Sequence, residues 1–134
     1  MNPLIVDTSV VSYLLKGHSL ADPYQQLLRG HVLFISFMTV AELYRWPLER
    51  NWGERRIATL REHLRSYTVI PYDDELSWEW ARIKSRKGRP ISHEDAWIAA
   101  TAVSYDAPLV THNPRHFIHI DRLQIVTIPR VDSP

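Results

Sequence analysis

The 134-residue sequence contains no cysteine, which excludes disulfide scaffolds, thiolate zinc fingers and thiol enzymes. It also lacks a long hydrophobic run. The longest nearly apolar stretch, residues 32–41, already includes Ser36 and Thr39, and its ten residues are about half of a membrane span. No Lys or Arg precedes Lys16, and Asp7 interrupts the apolar N-terminus, so no signal peptide is expected and a cytoplasmic protein is. Charge of one sign is missing too, with 16 Lys+Arg against 15 Asp+Glu for a formal net charge of +1. That balance does not by itself call for a polyanionic partner. The cations are nevertheless mostly arginine and cluster within residues 45–65 and 82–89. Guanidinium forks bind phosphate bidentately, which makes RNA a candidate partner and Arg45, Arg86 and Arg89 candidate backbone contacts. Solvated helix faces and an arginine-favouring genome are the alternative explanations of the same arginines.

The apolar content of 45% and charged content of 23% are ordinary for a globular chain, and the length fits one domain, residues 1–134. Short β-branched runs, Leu4-Ile5-Val6, Val32-Leu33-Phe34-Ile35, Thr68-Val69-Ile70, Leu109-Val110 and Ile125-Val126-Thr127-Ile128, have the pattern of strands buried on both faces. Helical patterns separate them. One follows Asp7 and stops at Gly17; a second opens at Asp22-Pro23 and stops at Gly30; a third surrounds Glu42, with a kink or break expected at Trp46-Pro47. A fourth carries Ile57, Leu60 and Leu64, a fifth runs from Asp73-Asp74 to Gly88, and a sixth from Ser92 to about Tyr105. Strands alternating with helices predict an α/β fold, a parallel sheet of about five strands covered by helices on both faces. In such sheets the site lies beyond the carboxyl ends of the strands, near a switch in strand order. Asp7 and Thr8, Ser36 and Phe37, and Thr111, His112 and Asn113 occupy those ends.

Three carboxylates stand near that edge, each with a plain structural alternative. Asp7 suits a helix N-cap. Glu42 could be a solvated helical glutamate, and Asp95 could close a capping box opened by Ser92. Together they suggest more, because acids brought into one site repel unless a cation intervenes. Oxygen ligands select a hard cation, Mg²⁺ with Mn²⁺ as a substitute, and such a cation beside phosphate supports phosphodiester hydrolysis.

The segments Leu4-Ile5-Val6-Asp7-Thr8-Ser9-Val10, Thr39-Val40-Ala41-Glu42-Leu43, Asp95-Ala96-Trp97-Ile98-Ala99-Ala100-Thr101-Ala102 and Leu109-Val110-Thr111-His112-Asn113-Pro114-Arg115-His116-Phe117 resemble the PIN-domain ribonucleases, and more closely the VapC toxins of type II toxin–antitoxin systems. The resemblance spans nearly the whole chain with the motifs in order. It implies a PIN-like fold, a Mg²⁺-dependent endoribonuclease (a hydrolase) acting on RNA such as tRNA, a homodimer, and a VapB-like antitoxin that holds it inactive. By that resemblance Asp7 and Asp95 match the metal-binding aspartates and Glu42 the glutamate that completes the site, while Thr8 and Ser9 fall in its hydroxyl-bearing turn. The sequence departs from the family at the fourth acid, where Asn113 or His116 stands instead, which favours one bound cation over two. Glu94 and Asp121 are nearby in sequence without a placement.

Two other readings compete with this one. A catalytically degenerate PIN module would bind RNA or a partner protein without cleaving. A receiver domain needs an acidic pair near the first strand and a late lysine, whereas no Lys follows Lys87. His112, His116 and His119 raise a zinc site, which Pro114 between them and the want of a His-Glu-x-x-His pattern oppose. Tyr44, Trp46 and Trp52 among arginines suit either base stacking or an antitoxin groove. Trp78 and Trp80, two apart on a helix, cannot share one face.

Overall fold

The computed structural model describes residues 2–88 and 90–128. The chain runs β1 (Pro3–Val6), α1 (Thr8–Lys16), α2 (Ala21–Leu28), β2 (Val32–Ser36), α3 (Phe37–Glu49), α4 (Glu54–Leu64), β3 (Thr68–Ile70), α5 (Asp74–Lys84), α6 (His93–Ser104), β4 (Leu109–Val110), a 3₁₀ turn (Pro114–His116) and β5 (Ile125–Val126). All four strand pairings are parallel, in the order β3-β2-β1-β4-β5. The α/β expectation therefore holds. The chain winds outward from β1 through β2 to β3, then returns to place β4 on the other side of β1. The switch in strand order is thus the β1–β4 boundary, whose register pairs Ile5 with Leu109 and Val6 with Val110.

Alternation along β1 explains the two-sided burial. Leu4 and Val6 join one apolar cluster with Val10, Tyr24, Leu43, Leu60 and Leu64 from α1 to α4. Ile5 points the other way, into a cluster with Leu76 and Ile83 of α5, the alanines of α6, Leu109 and Phe117. Ala96, Ala99, Ala100 and Ala102 are at most 1% exposed. Their small side chains let α6 lie close to the sheet, and its first turn is aimed at the β1–β4 boundary.

Local chemistry accounts for most helix starts and for the end of α1. Asp7, Ser36, Asp73 and Ser92 each cap a helix through a side-chain oxygen, and Gly17, with φ of 64°, ends α1 in the left-handed conformation. Three boundaries differ from the sequence expectation. Helix α2 begins at Ala21, so Pro23 is its third residue rather than its first; the amide that Pro23 lacks belongs to the first turn, where no intrahelical acceptor exists. Helix α3 continues through Pro47 to Glu49 instead of breaking at Trp46. Pro47 forfeits one bond near the end of the helix, its ring is buried, and the Arg50 N–H bonds the Trp46 carbonyl beyond it. Helix α5 stops at Lys84 rather than near Gly88, where the Ser85 N–H returns to Ala81 and the Lys84 ammonium leaves the helix to donate to the Ile91 carbonyl at 2.6 Å. Trp78 is 70% exposed and Trp80 half-buried, as opposite faces require. Among the described residues, no helix is long and apolar enough to cross a membrane.

Candidate active site

An open cleft of about 440 Å³ lies at the β1–β4 switch, at the carboxyl ends of the central strands. Its walls include Asp7, Glu42, Glu94 and Asp95, the hydroxyls of Thr8, Ser9 and Ser12, and Asn113 and His116. The three acids proposed from sequence therefore meet, although residues 7, 42 and 95 come from the end of β1, the second turn of α3 and the first turn of α6.

Asp7 is 5% exposed and held from three sides. Its Oδ1 accepts from the Thr8 N–H at 2.8 Å. Its Oδ2 accepts from the Thr111 hydroxyl at 2.7 Å and from the Ser9 hydroxyl at 3.2 Å. The helix-cap reading of Asp7 is thus correct as far as it goes, but the Thr111 bond joins it to β4, 104 residues away. Burial pushes the Asp7 carboxyl above its ordinary range, and Asp95 nearby adds to the rise; the Thr111, Thr8 and Ser9 donors offset part of it.

Glu42 is also raised, chiefly by burial and further by Asp7, Asp95 and Glu94, while the Thr8 hydroxyl works against the rise. Thr8 Oγ1 lies 2.8 Å from Glu42 Oε1 and 3.0 Å from the buried Thr39 hydroxyl. It has one proton, and the carboxylate is the stronger acceptor. A relay from Thr39 through Thr8 to Glu42 therefore fixes the glutamate's rotamer. Asp95 is raised by burial despite the imidazole of His116, whose Nδ1 stands 3.2 Å from its Oδ2. Ser92 Oγ accepts from the Asp95 N–H at 3.1 Å, so the cap of α6 sets the backbone from which this carboxylate projects.

The donor set tests what the cleft can hold. Four carboxylates and an amide offer hard oxygen, and no thiolate is present, which suits Mg²⁺ or Mn²⁺ and disfavours soft metals. Among the described residues, no three His, Asp or Glu side chains close on one point as a full cage. A Mg²⁺ ion held here would draw on one or two of these carboxylates and take water for the rest of its shell, as that ion commonly does.

Sequence reasoning left several cleft residues without a role. The sequence marks Thr111 only as a strand end; a hydroxyl at the end of β4, beside an acid at the end of β1, is the signal that strand order turns into a contact. Glu94 had no placement and proves to line the cleft, while Asp121 is exposed and does not. Ser12 and Tyr13 follow from Thr8 and Ser9 by one helical turn. The arginine candidates separate. Arg45 is exposed, ion-pairs with Glu49 and does not line the cleft. Arg86 lines a second cavity. Arg89 lies outside the described residues. His112 is 2.7 Å from the Tyr24 hydroxyl and packs edge-on to Tyr13, a structural arrangement. Of the aromatics near the arginines, Trp46 lines the cleft with the Lys16 ammonium 5.1 Å from its ring centroid. Trp52 and Tyr44 carry Arg56 at 3.9 Å and Arg61 at 5.7 Å, cations of their own chain.

Comparison with known proteins agrees with this geometry. The PIN domain family profile matches residues 4–123. "Ribonuclease VapC1" of Haemophilus influenzae (strain R2866) is 32% identical over 125 residues, covering 90% of this chain and 93% of that protein. "Ribonuclease VapC" of Rickettsia bellii (strain RML369-C) is 28% identical over 96% of this chain and 98% of its own length. Among solved structures, VapBC-1 from nontypeable Haemophilus influenzae matches with a TM-score of 0.78 at 30% identity, over 93% of this chain and 97% of that one. DNA-bound VapBC from Salmonella typhimurium matches with a TM-score of 0.82 at 25% identity, over 95% and 98%. With the fold, the strand-end acids and these relatives in agreement, the chain belongs to the PIN-domain VapC ribonucleases, the toxins of VapBC toxin–antitoxin systems.

Proposed function

We propose that the chain is a Mg²⁺-dependent endoribonuclease whose catalytic groups are Asp7, Glu42 and Asp95, with tRNA among its substrates. The observation that carries this reading is the convergence of the three acids on one cleft at the strand-order switch, each raised above its ordinary pKa. Asp7 and Asp95 hold the cation, directly or through water. When bound, it neutralises charge on the scissile phosphate and makes water a better nucleophile. Ser9 and Thr111 fix the Asp7 carboxylate, and Thr8 holds Glu42 Oε1, leaving Oε2 to receive a proton. A carboxylate raised toward neutrality is a stronger base than a solvated one, which suits Glu42 to deprotonate the attacking water. Water oxygen bonds to phosphorus, its proton passes to Glu42, and the bond from phosphorus to the 3′-oxygen breaks. That oxygen takes a proton from solvent, leaving a 3′-hydroxyl and a 5′-phosphate.

Asn113 or His116 stands where the family carries its fourth acid, and both line the cleft. His116 braces Asp95 as a neighbour rather than adding negative charge, which favours one cation over two. The whole chain acts as a single PIN unit in the cytoplasm, as a homodimer, and a VapB-like antitoxin silences it, in keeping with the VapBC complexes it resembles. The test is incubation of antitoxin-free protein with total tRNA in Mg²⁺, Mn²⁺ or EDTA, beside Asp7→Asn. Discrete cation-dependent cuts that vanish in the variant are expected. Cation binding without cuts in any RNA would instead leave a module that binds without cleaving.

A further inference from the structure

A second cavity of opposite character adjoins the acidic cleft. It measures about 270 Å³ and lies between the C-terminal end of α5, the segment leading to α6 and the loop after the 3₁₀ turn. Ile83, Ile91 and Ile118 supply apolar walls, and Arg86 and Lys87 a cationic rim; among the described residues, no carboxylate lines it. His116 belongs to both cavities, so a single imidazole, 3.2 Å from Asp95, divides the acidic site from the basic one.

The walls are held in place rather than left to drift. Lys84 donates to the Ile91 carbonyl at 2.6 Å and ties α5 to one wall. Arg122 donates to both oxygens of Glu79, each at 3.1 Å, and ties the opposite loop to the same helix. Within that loop His119 and Arg122 adopt φ of 69° and 65°. Non-glycine residues in the left-handed region cost on the order of 1 kcal/mol or more and persist where surrounding contacts enforce them.

A polyanion entering a cleft with four carboxylates is repelled unless cations flank its path. The second cavity supplies that cation pair beside its isoleucine walls, and its whole volume of about 270 Å³ lies close to the roughly 300 Å³ at which small-ligand sites begin. Phosphate and base are the two halves of one nucleotide. We infer that this cavity is a nucleotide subsite of the nuclease, taking the nucleotide that flanks the scissile phosphate in single-stranded RNA. Arg86 and Lys87 receive its phosphate and the isoleucines pack on its base. The inference rests on the ribonuclease reading above and names part of its substrate path. Aliphatic walls select the base by size and shape, since they offer no hydrogen bonds to its edges.

The experiment uses a fluorescein-labelled pool of single-stranded RNA of randomised sequence, bound to the Asp7→Asn chain so that cutting does not interfere. Adding Arg86→Ala and Lys87→Ala should weaken binding about tenfold or more and lower the slope of log K against log salt by about 0.7 to 1.4, the share of one or two phosphates on a single strand. Removing the same charge at exposed Arg29 and Arg65, which line neither cavity, should do less. In the chain with Asp7 intact, the Arg86/Lys87 pair of changes should raise KM with little change in kcat. Ile118→Ala should flatten the base preference beside the cut. An unchanged salt slope, or an equal loss in the Arg29/Arg65 control, overturns the subsite while leaving the nuclease intact. Fluorescent oligoglutamate that binds through Arg86 and Lys87 with RNA binding unaffected makes the cavity a site for acidic peptide and overturns it as well. Parent protein that neither binds nor cuts any RNA overturns both readings together.

Discussion

A carboxylate that is 5% exposed is an expensive group to keep ionised, and Asp7 shows how the cleft manages it. Three protein donors reach its oxygens, yet its pKa still lies above 3.8, the ordinary value, because burial outweighs them. The consequence for stability has a definite sign. An acid whose folded pKa is raised binds its proton more tightly in the folded chain than in the unfolded one. Stability is then greatest below the unfolded pKa and declines as pH rises through the folded value. Asn at position 7 keeps the shape and an acceptor for the Thr8 N–H, and it does not titrate. Asp7→Asn in EDTA should therefore be more stable than the parent at about pH 7.5, by on the order of 1 kcal/mol or about 4 °C in Tm, with the advantage shrinking toward about pH 4. Thermal melts across that range decide the matter; an advantage independent of pH would mean that the Asp7 charge is not its source. Thr8→Val probes the neighbouring acid. It removes the donor on Glu42 Oε1, so the Glu42 pKa rises further, and the acidic limb of the cleavage profile should move to higher pH with activity down about tenfold.

Helix α6 is where packing and chemistry meet. It carries Asp95 on its first turn and is fixed against the sheet by alanines at most 1% exposed. Ala99→Leu should cost about 1–3 kcal/mol by overpacking and should lower cleavage beyond the fraction unfolded, since a helix pushed off the sheet carries Asp95 with it. Urea unfolding followed alongside cleavage separates the two effects. Sequence patterns made this helix legible, as they did the five strands and the caps at Asp7 and Ser92, because each is a local matter of side-chain period or a nearby donor. The same local rules failed at Pro47, where burial of one face outweighed one lost hydrogen bond, and at the start of α2, where first-turn amides need no partner. They could bring Asp7, Glu42 and Asp95 to one strand edge as candidates, and the family resemblance gave each of them a role. They could not see that Thr111 would restrain Asp7, which depends on which strand lands beside β1 after more than 100 residues of chain, or that Glu94 would line the cleft, which depends on where α6 docks.

At the scale of the whole molecule, a formal charge of +1 conceals a strong separation of sign, with four carboxylates in one cleft and arginine and lysine rimming the next cavity. Burial and mutual repulsion raise Asp7, Glu42 and Asp95, so the metal-free protein carries a destabilising charge cluster at neutral pH. A cation bound there relieves that repulsion only in the folded state, and by linkage a ligand at a hundred times its Kd stabilises by about 2.7 kcal/mol. Mg²⁺ should accordingly raise Tm in proportion to the logarithm of its concentration, and more at about pH 7.5 than at about pH 5, because protons compete for the same oxygens. The rise should be largely lost in Asp7→Asn and should not be reproduced by NaCl of matched ionic strength. Screening of exposed charge would respond to both salts alike, since it depends on ionic strength and not on a site. A Mg²⁺ effect that survives Asp7→Asn undiminished would place the cation elsewhere on the molecule, and the proposed coupling of fold stability to the acidic cleft would fail with it.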